Sequence, residues 1–118
     1  MKAKMEVGTE NHADTIFALS SAPGKAGVAV VRVSGVGAWE SLSQLTPKQS
    51  LPSPRQTKLM SLHYGESEID KAMVIGFKAP HSFTGEDVVE YHCHGSPAIM
   101  EELFVALATL PHLSLIHI

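Results

Sequence analysis

The chain has 118 residues, room for one domain of ordinary size and too few for two sound cores. Its 44% hydrophobic and 18% charged residues exclude a disordered tail. A formal net charge of -3 with the seven histidines neutral excludes an overall basic footprint for gripping nucleic acid. One cysteine, Cys93, excludes an intrachain disulfide, and no apolar run reaches the roughly 18–20 residues of a membrane-spanning helix.

Residues 1–13 are polar and lack both the apolar core of a signal peptide and the arginines of a mitochondrial presequence, so they read as a disordered N-terminal tail. Residues 14–19 (DTIFAL) are β-prone, and the turn formers of residues 20–27 (SSAPGKAG) predict a loop after them. The β-branched run at residues 28–33 (VAVVRV) predicts a central strand covered on both faces. Trp39, Leu42 and Leu45 recur every third position, predicting a helix over residues 38–45. Three prolines in residues 46–56 predict an irregular, exposed connector.

Two strands at residues 58–64 and 69–77, separated by Gly65, Glu66, Ser67 and Glu68, have hairpin spacing. Residues 79–87 form a loop and residues 88–94 (VVEYHCH) a further strand. Ser96 then suits an N-cap and Pro97 the first helical position, where its missing N–H costs nothing. The helix that follows carries one stripe of Ile99, Leu103, Ala106 and Leu110, widened by Met100, Phe104 and Leu107, with Glu101 and Glu102 outside it. About five strands in a mixed sheet with two helices make an α+β fold.

Side chains alternate along a strand, so Val28, Val30, Arg32 and Ser34 share one face. A guanidinium in mid-strand requires an anionic partner, a ligand or a route to solvent. Both a salt bridge to a neighbouring strand and a ligand contact meet that need. Glu90, His92 and His94 also share a face, opposite Val89, Tyr91 and Cys93. A carboxylate there suits a pterin-like or guanine-like ring, whose N–H and amino group it accepts together. The plainer reading is a solvated sheet face.

His92, Cys93 and His94 do not make a metal site, because Cys93 points away from its neighbours and no further ligands stand at zinc spacing. The loop at residues 20–27 is not a phosphate loop: Ser20 stands where the first glycine belongs, and Ala26 follows Lys25 where a hydroxyl is needed. No metal or nucleotide is expected to bind this chain, and it should not hydrolyse GTP alone. Residues 82–87 (SFTGED) form a turn-like cluster whose plain reading is a hairpin turn with Phe83 tucked inward.

Three ordered blocks go further: Asp14-Thr15-Ile16 with Pro23-Gly24 and Gly27; Val31-Arg32-Val33-Ser34-Gly35; and Ser82-Phe83-Thr84-Gly85-Glu86-Asp87 followed by Glu90 and His94-Gly95. Together they resemble the N-terminal domain of the MnmE/TrmE family of tRNA modification GTPases. The resemblance implies a fold similar to the tetrahydrofolate-binding domain of the glycine-cleavage T protein, paired as a homodimer. It implies a bound 5-formyl- or methylene-tetrahydrofolate as one-carbon source for an aminomethyl-type group on carbon 5 of the wobble uridine, U34, of tRNA. A flavin protein of the MnmG/GidA type is the implied partner, tRNA is engaged indirectly, and no membrane is involved. Arg32 and Glu90 occupy the positions of the family's folate contacts, while Glu86, Asp87 and His94 are possible site-lining residues.

The family continues after Leu110 through a Pro-Gly-Glu-Phe stretch into helical and GTPase domains, whereas this chain reads PHLSLIHI. The expected organisation is therefore a folate-binding domain over residues 14–112 and a non-family tail over residues 113–118, without the GTPase domain. A further basic folate contact of the family lies beyond that point, so the alternative is a dimerisation scaffold that no longer binds folate. The polar start favours a bacterial cytoplasmic setting, with a mitochondrial one as the alternative.

Overall fold

The computed structural model describes residues 15–20, 27–82 and 84–115. The readings of the N-terminal tail, of the loop at residues 21–26 and of Phe83 lie outside the described residues. Eight elements follow in the order β1 (Thr15–Leu19), β2 (Val28–Gly35), α1 (Ala38–Leu45), β3 (Lys58–Tyr64), β4 (Ser67–Phe77), β5 (Val88–His94), α2 (Pro97–Ala108) and β6 (Leu113–Leu115). The strands form one mixed sheet in the order β3-β4-β5-β2-β1-β6, antiparallel throughout except for the parallel β1–β6 pair. The α+β fold expected from the pattern is the fold observed, with β6 as a sixth strand where about five were expected.

The helices lie where composition puts them. The Ser96 hydroxyl accepts from the Ile99 N–H at 3.5 Å and Pro97 opens α2. Thr46 closes α1, its N–H and hydroxyl both donating to the Leu42 carbonyl. Ala38, Leu42 and Leu45 of α1 and Leu103, Ala106 and Leu107 of α2 pack into a single core with Val31, Val33, Tyr91, Cys93, Val74 and Met60. Phe17 joins it against Phe104, with ring centroids 5.8 Å apart and tilted planes.

Both helices thus cover the same face of the sheet, which corrects the expectation that β2 is covered on both faces. Ala29, Val31 and Val33 are buried, whereas Val28 is exposed and Val30 and Arg32 are half-buried. A β-branched run reports a preference for extended backbone, and that preference does not distinguish a one-sided sheet from a two-sided one. The connector at residues 46–56 is irregular as expected, but it is anchored. Gln49 donates to the Ser61 carbonyl and accepts from the Ser61 N–H, Pro52 is buried, and the Arg55 N–H donates to the Gly76 carbonyl at 2.7 Å.

At Gly76 the side chain of Trp39 from α1 lies directly against the backbone of β4. A Cβ there would fall on the six-membered ring of Trp39, whose indole N–H donates to the Phe77 carbonyl at 3.2 Å and whose face lies 4.7 Å from the Lys78 ammonium. Gly76→Ala is expected to destabilise the domain by about 1–3 kcal/mol through overpacking. It should also shift the fluorescence of Trp39, the lone tryptophan, which urea denaturation followed at that wavelength reads directly.

Candidate ligand-binding site

The uncovered face of the sheet is organised in rows set by strand register. One row runs Leu59, Met73, His92 and Val30; the next Ile75, Glu90, Arg32 and Ala18; the third Phe77, Val88, Ser34 and Ile16. Arg32 and Glu90 are therefore direct cross-strand neighbours on β2 and β5, the geometry in which opposite charges stabilise a sheet. Arg32 donates to Glu90 Oε2 from Nε at 3.0 Å and from Nη2 at 2.7 Å. His92, two residues along the same face, lies with Nε2 3.1 Å from Glu90 Oε1. The mid-strand arginine has found the salt bridge to a neighbouring strand that its position demands.

This pair stands in the wall of a cavity of about 370 Å³ lined by Arg32, Arg55, Phe77, His81, Ser82, Val88 and Glu90. The described residues of the loop between β4 and β5 supply His81 and Ser82 to one side of it. Their shape is fixed internally: the Ser34 hydroxyl donates to Glu86 and lies 3.1 Å from the Thr84 hydroxyl, the Ser82 hydroxyl donates to the Glu86 carbonyl, and the Asp87 carboxylate accepts from the Ala79 N–H at 2.8 Å. The Gly35 N–H donates to the Asp87 carbonyl and ties this loop to the end of β2. The structure thus uses Glu86 and Asp87 to build the wall, and neither side chain lines the cavity.

His94 stands farther along β5, opposite Val28 and outside the lining. Its Nδ1 lies 2.8 Å from Asp70 Oδ1 and its backbone N–H donates to Asp70 Oδ2 at 2.9 Å, so a nearly buried carboxylate orients an exposed imidazole. His92 and His94 are directed to different carboxylates, Glu90 and Asp70. Among the described residues no group of three or more metal-ligating side chains converges, and no helix is long and apolar enough to cross a membrane. The residues missed in the sequence are Arg55, Phe77, His81, Ser82 and Val88. Arg55 carried a signal in being the second of only two arginines, set in a segment otherwise poor in charge.

Burial opposes ionisation of Glu90, but the hydrogen bonds and charges of Arg32 and His92 outweigh it and hold its carboxyl below the usual carboxylate range. A carboxyl with a depressed folded pKa stabilises the fold above its unfolded pKa of about 4.3, and that contribution fades as pH falls through the folded value. Glu90→Gln is accordingly expected to cost stability at pH 7, with the cost shrinking as pH falls below the unfolded value of about 4.3; urea denaturation of both proteins across a pH series measures it. On the opposite face of β5, burial and then the Asp70 charge push the Cys93 thiol up to about 12, and burial raises Tyr91 above an ordinary phenol. Neither supplies a nucleophile.

The fold and the site define a class: a one-sided α+β sheet module with both helices behind and a charged, partly apolar cavity on the open face. Within that class the chain belongs to the TrmE N-terminal family, whose model, described as the GTP-binding protein TrmE N-terminus, matches residues 15–114. This is the family whose blocks the sequence carries. The chain is 51% identical over 96 residues to the tRNA modification GTPase MnmE of Roseobacter denitrificans, covering 80% of this chain and 22% of that protein. The MnmE of Rickettsia bellii is 55% identical over 100 residues, 83% of this chain and 22% of that one. The mitochondrial 5-taurinomethyluridine-tRNA synthase subunit GTPB3 of Danio rerio is 47% identical over 102 residues, 85% of this chain and 20% of the other. The chain spans about a fifth of the length of these relatives.

Proposed function

We propose that this chain is the folate-binding and dimerisation module, over residues 14–112, of a tRNA modification GTPase that builds an aminomethyl-type group on carbon 5 of U34 together with a flavin protein of the MnmG/GidA type. The observation that carries the reading is the Arg32–Glu90 pair in the wall of a cavity of about 370 Å³. That volume sits at the small end of ligand sites, about 300–1,000 Å³, and suits a fused bicyclic ring with its tail outside. The residues fit such a ring: Phe77 and Val88 offer apolar contact, Glu90 accepts from ring N–H and amino groups, and Arg32 donates to a carbonyl oxygen. A bound 5-formyl- or methylene-tetrahydrofolate would supply the one-carbon unit.

Glu90 already accepts two hydrogen bonds on Oε2 and has His92 at Oε1. Oε2 is thereby filled while Oε1 keeps one lone pair, so a ligand's two donors engage both oxygens only if one arm of Arg32 gives way. That saturation favours the second reading, a dimerisation scaffold that no longer takes up folate. Pairing of two chains is supported by apolar side chains on the uncovered face, where Leu59 is 61% exposed, Val28 53% and Met73 42%. Calorimetric titration of the purified chain with 5-formyltetrahydrofolate, with its mass in solution measured on the same sample, separates the two. Saturable uptake by a dimer supports the folate module, and a folded dimer without uptake leaves the scaffold.

A further inference from the structure

We infer that Arg55 is a ligand-contact residue of the Arg32–Glu90 cavity, where it receives the anionic tail of the ligand. The inference rests on the folate reading and extends it to a residue in the connector. The chain has two arginines, and both line this one cavity although they lie 23 positions apart on β2 and in the connector. They differ in what holds them. Arg32 is neutralised by Glu90, whereas the exposed guanidinium of Arg55 makes no ion pair or hydrogen bond among the described residues. Of arginines and carboxylates, the lining carries two positive charges against one negative in a chain whose net charge is -3. The cavity is thus a local attractor for anions on an acidic protein.

The backbone at Arg55 has φ of 68°, the left-handed region that a residue with a Cβ rarely adopts. The bond from its N–H to the Gly76 carbonyl fixes it there, beside β4 and just ahead of β3. Lys48 and His112 adopt the same backbone outside this cavity, so the turn fixes where Arg55 starts and the cavity position of its side chain carries the inference. The ligand class that matches is an anionic heteroaromatic molecule: a planar edge with neighbouring donors for Glu90, and a carboxylate placed within reach of a long, unpaired arginine.

The test compares 5-formyltetrahydrofolate with tetrahydropterin, which keeps the ring and lacks the carboxylate tail, by calorimetry on the whole chain and on Arg55→Gln, Arg55→Lys and Arg55→Gly. For 5-formyltetrahydrofolate, Arg55→Gln and Arg55→Gly are expected to weaken binding about tenfold or more, with Arg55→Lys in between. Tetrahydropterin binding should be unchanged in all three. Arg55→Gly should melt at or above the temperature of the parent, because glycine accepts the left-handed backbone, so a loss of affinity in it is no loss of fold. Equal 5-formyltetrahydrofolate affinity in the parent and in Arg55→Gln overturns the inference while leaving the folate reading standing. No uptake of either compound by the folded parent overturns both.

Discussion

Glu90→Ala is expected to weaken 5-formyltetrahydrofolate binding at least a hundredfold while the domain remains folded. The substitution removes the acceptor for the ring's donors and leaves Arg32, 33% exposed, without its cross-strand carboxylate. Hydrogen bonds to a charged group are worth about 1.5–3 kcal/mol each, so losing two lowers affinity by about 10²–10⁴. The stability cost is smaller, about 1–3 kcal/mol, since Arg32 keeps a route to water that a deeply buried partner would lack. Arg32→Ala, which removes the donor to the ring carbonyl and frees Glu90, should also weaken binding, and the loss in the double variant should be less than the sum of the two, because each side chain positions the other. Additive losses in calorimetry would mean that the two side chains contact the ligand independently.

Tyr91→Ala is expected to have the largest effect on stability, about 3–5 kcal/mol, a substantial part of the 5–15 kcal/mol typical of a domain. Tyr91 is fully buried at the middle of β5, between β2 and β4 and beneath α1, so no neighbour collapses into the space it leaves. Its hydroxyl lies 3.3 Å from that of Ser41, a long contact. Tyr91→Phe should therefore cost only about 0.5–1.5 kcal/mol. Urea denaturation followed by Trp39 fluorescence distinguishes the two substitutions, and similar costs for both would mean that the hydroxyl, and not the ring, holds β5 in place.

Local chemistry explains what the sequence made legible. Both helices were readable because their stripes, caps and proline positions lie within a few residues of one another, as in Ser96-Pro97 followed by Ile99 and Leu103. The Gly65-Glu66 turn and the alternation along Val88–His94 were local in the same way. Burial of one face against two was not, because it depends on where α1 and α2 cross a sheet whose strand order mixes near and distant segments. Within the site, Arg32 and Glu90 were conspicuous as charges inside apolar runs. Their pairing was not specified, since register over 58 positions of separation is a property of the assembled sheet. Arg55 was hidden by its prolines: a segment that cannot form a helix or strand reads as a linker, although its backbone is anchored to Gly76.

The most direct test follows from the arginine count. Two arginines give two side-chain Nε–H signals in the proton–nitrogen NMR spectrum, and Arg32→Lys assigns them. On titration with 5-formyltetrahydrofolate, the Arg32 signal is expected to move saturably and with the calorimetric midpoint, as its Nε bond to Glu90 is rearranged by the ligand. Saturation of the protein with the Arg32 signal unmoved would place the folate away from the Arg32–Glu90 pair.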